Sequence, residues 1–393
     1  MAVETATARD PFALSTEERG VRDTVRDWAQ KEVAPGAAER DEQERYDRSL
    51  FERAGELGLT GLPYPEEYGG AGMGSFAWAL AVEEIAAADM AMAVSLSVHV
   101  LSQLCIHANG SDEQKQRFLP GMTAGRELGA FALTEPGAGS DAAALSMAAR
   151  RDGDDYLLTG TKIWITNAGE AARYIVFATV DRSKGKNGIT AFVVEADTAG
   201  FRLGSKERKM GIRGTTGYEI VFEDARVPVA NRLGEEGEGL RVALSALGAG
   251  RIGIAAACTG LARNALDLAA RYALQRRQFG RAIADQEMIQ AMLADMAVGV
   301  DAARLLTWRA ARLRDAGQPI NAPSSMAKWY ASDVAMRVTT DAVQIYGGAG
   351  YSRDNPVERL MRDAKGAQIY EGTNQIHRLI VAQQLLDAMR RDA

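Results

Sequence analysis

The chain has 393 residues, room for about two and a half average domains, with 47% hydrophobic and 25% charged residues. This ordinary globular balance excludes a disordered chain, a collagen-like fibre and a disulfide-held miniprotein. Lys plus Arg total 46 against 52 Asp plus Glu, and a formal net charge of -6 offers no basic field for nucleic acid or an anionic membrane.

At the N-terminus Glu4 and Asp10 replace any apolar run, so no secretory or transit peptide is expected there. Cys105 and Cys258 cannot build a disulfide framework and suit a reducing compartment. The expected location is the cytoplasm, with a mature mitochondrial-matrix form as the alternative. Ser15 followed by Glu18 makes a capping box, and Val21, Val25 and Trp28 continue it at helical spacing. Pro63, Pro65 and the glycines of 69–72 break the helices with a loop, after which 83–106 is expected to be one apolar helical segment. The uncharged run 90–111 carries Ser95, Ser97, His99 and Gln103, polar groups that favour a buried helix stopped at Gly110 over a membrane span.

From about residue 129 the period changes to two. Segments 156–166, 174–180, 189–195 and 218–222 are rich in β-branched and aromatic residues, and Gly185-Lys186-Asn187-Gly188 reads as a hairpin turn. From Gly237 the chain returns to four alanine-rich helical segments of roughly 20–30 residues, broken at 278–280, 317–319 and 347–350. The expected fold is α+β, mainly α. It has an N-terminal helical domain over 1–128, a middle antiparallel β domain over 129–234, and a C-terminal four-helix bundle over 235–393.

Common catalytic motifs are missing: there is no GxxxxGK[ST], HExxH or GxSxG, and His99, His107 and His377 are too few for an obvious zinc site, so no metal is expected. A GxGxxG occurs at Gly248, Gly250 and Gly253, with Asp267 beyond it. No strand precedes it and more helix follows, so the glycines are read as close helix packing and not as a nucleotide fingerprint.

Four stretches carry more weight together: Leu133-Thr134-Glu135-Pro136-Gly137-Ala138-Gly139-Ser140-Asp141, Lys162-Ile163-Trp164-Ile165-Thr166-Asn167, Arg276-Arg277-Gln278-Phe279-Gly280, and Ile369-Tyr370-Glu371-Gly372-Thr373-Asn374-Gln375-Ile376. In this order, on an α–β–α frame, the chain resembles the acyl-CoA dehydrogenase family from end to end. The resemblance implies FAD as cofactor, oxidation of an acyl-CoA thioester to the trans-2-enoyl-CoA, and transfer of electrons to an electron-transferring flavoprotein.

The residues suit that chemistry. Gly137 and Gly139 admit close approach of backbone N–H groups to a planar ligand, while Thr134 and Ser140 add hydroxyls. Strand geometry puts Lys162, Trp164 and Thr166 on one face and Ile163 and Ile165 on the core face. The resemblance implies that Phe131, Leu133, Thr134, Gly139, Ser140, Trp164 and Thr166 contact FAD, with Thr373 and Gln375. It also implies that Arg276, with Gln278 and Phe279, reaches the pyrophosphate of a neighbour's FAD, and that Gln344, Gly347 and Gly348 receive that neighbour's dinucleotide. The assembly is then at least a dimer, and a homotetramer as is usual in the family. A base is needed to take the α-proton, and a desolvated carboxylate can serve. By resemblance that base is Glu371, whose N–H joins in binding the thioester oxygen, with Ser140, Arg251, Tyr370 and Gly372 alongside the substrate. Thr373 and Asn374 are expected to cap the last helix.

Some relatives carry the base just before the arginine that matches Arg251, but here that position is Gly250. Two departures stand out: Gly248, where relatives have an acidic residue or Asn, and Glu287, where many have glutamine. The leading expectation is a short- or branched-chain acyl-CoA substrate. The alternatives are an acyl carrier protein thioester and a non-catalytic helical scaffold.

Overall fold

The computed structural model describes residues 12–392; Glu4 and Asp10 lie outside them. Ser15 opens α1 (Thr16–Trp28) as its spacing predicts: its hydroxyl accepts from the Glu18 N–H while the Glu18 carboxylate accepts from the Ser15 N–H at 2.8 Å. Short helices α2 (Ala37–Glu42) and α3 (Arg48–Glu56) follow. The expected continuous helix over 83–106 is two, α4 (Gly74–Ala88) and α5 (Met90–Asn109). The break is Asp89, extended at φ -154, whose carboxylate caps α5 through the Ala91 N–H at 2.9 Å. The same carboxylate receives the buried Arg40 guanidinium at 2.8 Å, a pairing that a straight helix would forgo. Gly110 ends α5 as expected, and α6 (Asp112–Thr123) leads to the sheet.

Eight strands form one sheet: β1 (Gly129–Ala132), β2 (Ala148–Asp152), β3 (Asp155–Thr166), β4 (Arg173–Thr179), β5 (Ile189–Glu195), β6 (Phe201–Lys206), β7 (Gly217–Pro228) and β8 (Arg232–Leu233). The order is β6-β7-β3-β2-β4-β5-β8, with β1 on β4. It is mixed, not wholly antiparallel as expected: β1 runs parallel to β4, and Ala148 of β2 also meets β4 in parallel. Both arrive from the same direction to share one edge. Tyr156, Tyr174, Phe177, Phe192 and Phe222, all buried, fill the space around it.

The C-terminal part holds α7 (Gly239–Gln275), a two-residue-per-strand hairpin β9 (Arg277–Gln278) and β10 (Arg281–Ala282), then α8 (Glu287–Asp315), α9 (Asn321–Tyr346), α10 (Val357–Ala367) and α11 (Asn374–Asp392). Instead of four segments of 20–30 residues there are helices of 37, 29, 26 and 19 residues, with an 11-residue helix between the last two. The 37 residues of α7 cover about 55 Å and pass under both the N-terminal helices and the sheet. Its glycines allow this: a Cβ at Gly260 would stand 2.0 Å from the Glu83 carbonyl oxygen of α4. The GxGxxG glycines lie inside this helix, as the packing reading requires.

Buried carboxylates tie the helices together. Glu84 on α4 accepts from Arg263 of α7 at 2.6 Å and Arg26 of α1 at 2.8 Å, and Glu83 accepts from Arg304 of α8 at 3.0 Å. Burial pushes the Glu84 carboxyl up, but the hydrogen bonds from Arg263 and Arg26 prevail and hold it at about 2. Each carboxylate meets two guanidinium groups, since Arg263 also lies 3.5 Å from Glu83, so removing one arginine weakens a shared network of buried charges. Among the described residues two helices are long and apolar enough to cross a membrane, α5 and α7, and they bury 83% and 78% of their most apolar windows inside the fold. We propose the domain limits 128/129 and 234/235 on the two switches between helices and sheet.

Candidate active site

Glu371 stands in the six-residue turn between α10 and α11, which the Asn374 N–H closes by donating to the Gln368 carbonyl at 3.1 Å. Glu371 and Gly372 are both left-handed, at φ 53 and φ 92. For glutamate that conformation costs roughly 1–2 kcal/mol, so the surroundings must hold it. Lys328 of α9 does so from below, its Nζ donating to the Gly372 carbonyl at 2.7 Å and to Asn374 Oδ1 at 3.2 Å. The Asn374 amide in turn donates to Ser332 Oγ at 2.9 Å and Asp333 Oδ1 at 2.7 Å. Asn374 is therefore a buried brace and not a cap; Thr373 alone caps α11, its hydroxyl accepting from the Ile376 N–H at 3.4 Å.

The Glu371 Oε2 atom is out of reach of solvent and has no hydrogen-bond partner among the described residues, although the residue as a whole is partly exposed. Burial pushes the carboxyl up to about 7, against the opposing charges of Lys328 and Arg251. A Cβ at Gly250 would stand 2.9 Å from this oxygen, so the missing side chain at 250 is the space the glutamate uses. Gly250 also lines a cavity of about 190 Å³, walled by Trp78 of α4, Leu101 and Leu104 of α5 and Ala249 of α7. Arg251 is buried and already engaged, donating to Asn321 Oδ1 at 3.1 Å and Ser325 Oγ at 3.0 Å. Among the described residues the Tyr370 hydroxyl and both ring nitrogens of His377 have no hydrogen-bond partner and are buried.

The Leu133–Asp141 loop follows directly on β1. It is tied to β3 where the Ile163 N–H donates to the Thr134 carbonyl at 3.0 Å. Beneath it lies a buried ion pair, Lys162 Nζ to Glu135 Oε1 at 2.7 Å, while Glu135 also accepts from the Ser146 and Met147 N–H groups. The expected facing of β3 is wrong here. A bulge lies between Lys162 and Ile165, and Trp164 is left-handed at φ 60. Lys162 therefore turns inward and is fully buried, while Trp164 turns outward and is 58% exposed. Ile165 is in the core, but Ile163 is only partly covered.

These residues fit a flat, hydrogen-bonding cofactor. The hydroxyls of Thr134, Ser140 and Thr166 make no hydrogen bond among the described residues, and none is buried. A Cβ at Gly137 or Gly139 would meet nothing within 4 Å, so the face of the loop is open. Phe131 is partly covered and packs on Phe177 with centroids 5.1 Å apart, and Leu133 is buried. These two touch the loop from the protein side.

Arg276, Gln278 and Phe279 lie at the far end of α7 around the β9–β10 hairpin, all exposed, with Phe279 left-handed and 95% exposed. Gln344, Gly347 and Gly348 are exposed at the end of α9. The stacked rings of Tyr272 and Tyr346, 4.0 Å apart, join these two helix ends. Among the described residues no hydrogen bond links this end to the Thr134 loop or the Trp164 bulge, so one chain holds two separate groups of candidates. Gln375 lies on the surface beside Thr373, at a hollow of about 370 Å³. A Cβ at Gly248 would meet nothing within 4 Å, and Glu287 is exposed at the start of α8.

Sequence reasoning missed Lys328, Glu135 and Ser332. The signal for Lys328 was its register: Ser324, Ser325, Ala331, Ser332 and Ala335, three to seven residues away on the same helix face, are all small and buried.

The chain matches the acyl-CoA dehydrogenase N-terminal domain over residues 15–126, the middle domain over 130–225 and the C-terminal domain over 237–386. It is 48% identical to an acyl-CoA dehydrogenase of Bacillus subtilis, covering 95% of this chain and 99% of that one. It is 44% identical to a short-chain specific acyl-CoA dehydrogenase of Clostridium acetobutylicum, covering 94% and 98%. Among solved structures, the butyryl-CoA dehydrogenase of Megasphaera elsdenii superposes with a TM-score of 0.94 at 45% identity, covering 96% of this chain and all of that one.

Proposed function

Because the chain belongs to the acyl-CoA dehydrogenase family of flavoprotein oxidoreductases, we propose that it removes hydrogen from Cα and Cβ of a short- or branched-chain acyl-CoA, giving the trans-2-enoyl-CoA. The observation that carries this reading is Glu371: a carboxylate raised to about 7, with an unpartnered oxygen, beside the glycine that opens onto the 190 Å³ cavity. Such a group is protonated or not within reach of neutral pH, and in its ionised form it is desolvated enough to take an α-proton. The Glu371 N–H donates to no group of the described chain and is free for the thioester oxygen. The walls combine Trp78, Leu101 and Leu104 with the polar Ser75, Ser97, His107, Arg314 and Asp315. A cavity of about 150 Å³ holds benzene, so about 190 Å³ has room for a short acyl tail.

FAD is the proposed cofactor and supplies the acceptor for the Cβ hydride. Thr134, Ser140, Trp164 and Thr166, with Phe131, Leu133, Gly139, Thr373 and Gln375, would hold it on one subunit. Arg276, Gln278, Phe279, Gln344, Gly347 and Gly348 would hold the dinucleotide of a neighbour's. That division explains why one chain carries two unconnected groups, and it makes the working unit at least a dimer. The proposed electron acceptor is an electron-transferring flavoprotein.

The test is anaerobic mixing of the FAD-loaded protein with a panel of acyl-CoA thioesters graded in length and branching, and with an acyl carrier protein thioester. Bleaching of the flavin by C4–C6 or branched acyl-CoA supports the reading. Bleaching only by the carrier-protein thioester moves the substrate class, and a folded protein that takes up no FAD refutes the activity.

A further inference from the structure

Lys328 is out of place for a lysine. Its side chain is fully buried, and among the described residues no carboxylate makes an ion pair with it. Its acceptors are a main-chain carbonyl and a side-chain amide, those of Gly372 and Asn374. A buried ammonium with no carboxylate in direct contact is costly, and methionine would fill the same space without that cost. What the lysine touches is the turn that carries the catalytic carboxylate. Its hydrogen bond falls on the second of two successive left-handed residues, and on its other side Gly372 is closed in by the His377 ring, 3.1 Å from where a Cβ would be.

We propose that Lys328 is a positioning residue for proton abstraction: it locks the Glu371–Gly372 turn through the Gly372 carbonyl, and its charge keeps the neighbouring carboxylate ionisable. This rests on the activity proposed above. The charge part follows from the surroundings of Glu371. Arg251 approaches from α7 and Lys328 from α9, and both oppose the effect of burial on the carboxyl. The other ionisable neighbours contribute no cation: Cys258 on α7 and Tyr370 in the turn are held neutral by burial, His377 on α11 is held neutral by burial and the two cations, and Asp333 on α9 is an acid. Burial lowers Lys328 itself to about 8, so it is charged over the range where Glu371 titrates.

Three variants separate the hydrogen bond from the charge, each assayed as FAD-loaded protein by stopped-flow flavin reduction across pH. Lys328→Met loses both, and its reduction rate should fall about 10²-fold, the usual cost of misplacing a reacting group by about 1 Å. Lys328→Gln keeps a donor but no charge. Its rate above pH 9 should stay within about tenfold of wild type, while the rising limb of kcat/KM moves to higher pH by about 1–3 units. Lys328→Arg keeps the charge, so its limb should stay in place while its rate falls. A merely structural lysine would lower thermal stability and leave the limb unmoved in every variant. That outcome overturns the proposal, as does a Lys328→Met rate within about threefold of wild type. If none of the variants folds and binds FAD, Lys328 is a folding requirement and the positioning role is again overturned. Wild-type protein that binds FAD but is reduced by no acyl-CoA is a different failure: it removes the activity, and with it the step that Lys328 would serve.

Discussion

Gly250→Ala is the most economical test of the site, because one methyl group separates two opposing effects. In a helix interior alanine is favoured over glycine by about 1 kcal/mol, so α7 taken alone should gain stability. The new Cβ would stand 2.9 Å from Glu371 Oε2 and 3.1 Å from Leu101 Cδ1, against ordinary contacts of about 3.5–4.0 Å. The shortfall is therefore about 0.6–1.1 Å at the oxygen and about 0.4–0.9 Å at Leu101. Leu101 is 3% exposed and fixed in the core, whereas the carboxylate is the free end of a flexible side chain, so the glutamate yields. Overpacking of this kind costs about 1–3 kcal/mol, which offsets the helix gain and leaves global stability within about 2 kcal/mol of wild type. Displacing the base by about 1 Å should lower flavin reduction about 10²-fold, or about 2.7 kcal/mol in the barrier. The measurement is a melting temperature together with anaerobic stopped-flow bleaching by the best acyl-CoA of the panel. Gly248→Ala, where a Cβ meets nothing within 4 Å, is the stability control and should show the helix gain alone. A Gly250→Ala protein that melts normally and reduces its flavin at the wild-type rate would show that the carboxylate does not work from this position.

Glu371→Gln keeps the shape and the backbone N–H but cannot accept a proton, so FAD and acyl-CoA should still bind while flavin reduction falls by at least about 10²–10⁴-fold; rapid bleaching would hand the proton to another residue. Wild-type kcat/KM should rise with pH through an apparent pKa near 7 as Glu371 ionises, and a flat profile from pH 5.5 to 8.5 would contradict the burial argument. The sign carries over to stability. Folding raises this carboxyl from 4.5 to about 7, so the native state holds the extra proton between those values, and wild type loses stability as pH rises through that window. Glu371→Gln should then melt above wild type at pH 8 and level with it near pH 4. Arg276→Ala should lose FAD on dilution far more readily than wild type if the cofactor is shared between subunits. Equal retention, or an FAD-loaded monomer, would show that it is not.

Periodicity was enough for elements whose residues share one environment. The capping box of α1 and the β-branched runs of β4, β5 and β7 are local features, and the chain shows them without its fold. What escaped depends on distant partners. The strand β1 is Gly129-Ala130-Phe131-Ala132, with little β signal of its own, and it forms because β4 offers an edge. The strand β6, Phe201-Arg202-Leu203-Gly204-Ser205-Lys206, carries Gly204 and Ser205 inside it and forms on the edge that β7 offers. The α4–α5 break at Asp89 is set by Arg40, 49 residues earlier. In the same way Glu371 and Gly250 were each legible as residues, but their steric fit depends on α7 meeting the α10–α11 turn, and no spacing along the chain encodes that distance.

The backbone outliers follow the same logic. Seven described residues other than glycine adopt positive φ, among them Trp164, Phe279 and Glu371. Each of these three breaks a local rule: an aromatic ring thrown out of a strand, a phenylalanine bared at a hairpin tip, a carboxylate turned inward on a left-handed residue. None of the three gains its local cost back from packing of its own side chain in the single chain. Trp164 and Phe279 are largely exposed, and the Glu371 oxygen has no partner. Ile212 shows the contrast. It is left-handed too, but its N–H donates to the buried Asp363 carboxylate at 2.5 Å, an internal reason for the conformation. The backbone at two of the three is partly held from within, Trp164 by its N–H on Glu207 Oε1 at 3.3 Å and Glu371 by Lys328 on the Gly372 carbonyl, but the side chains of all three are left open to what the chain binds. That three such residues fall in three of the four stretches that carry the family resemblance links the backbone geometry to the proposed cofactor and substrate contacts without appeal to any one of them.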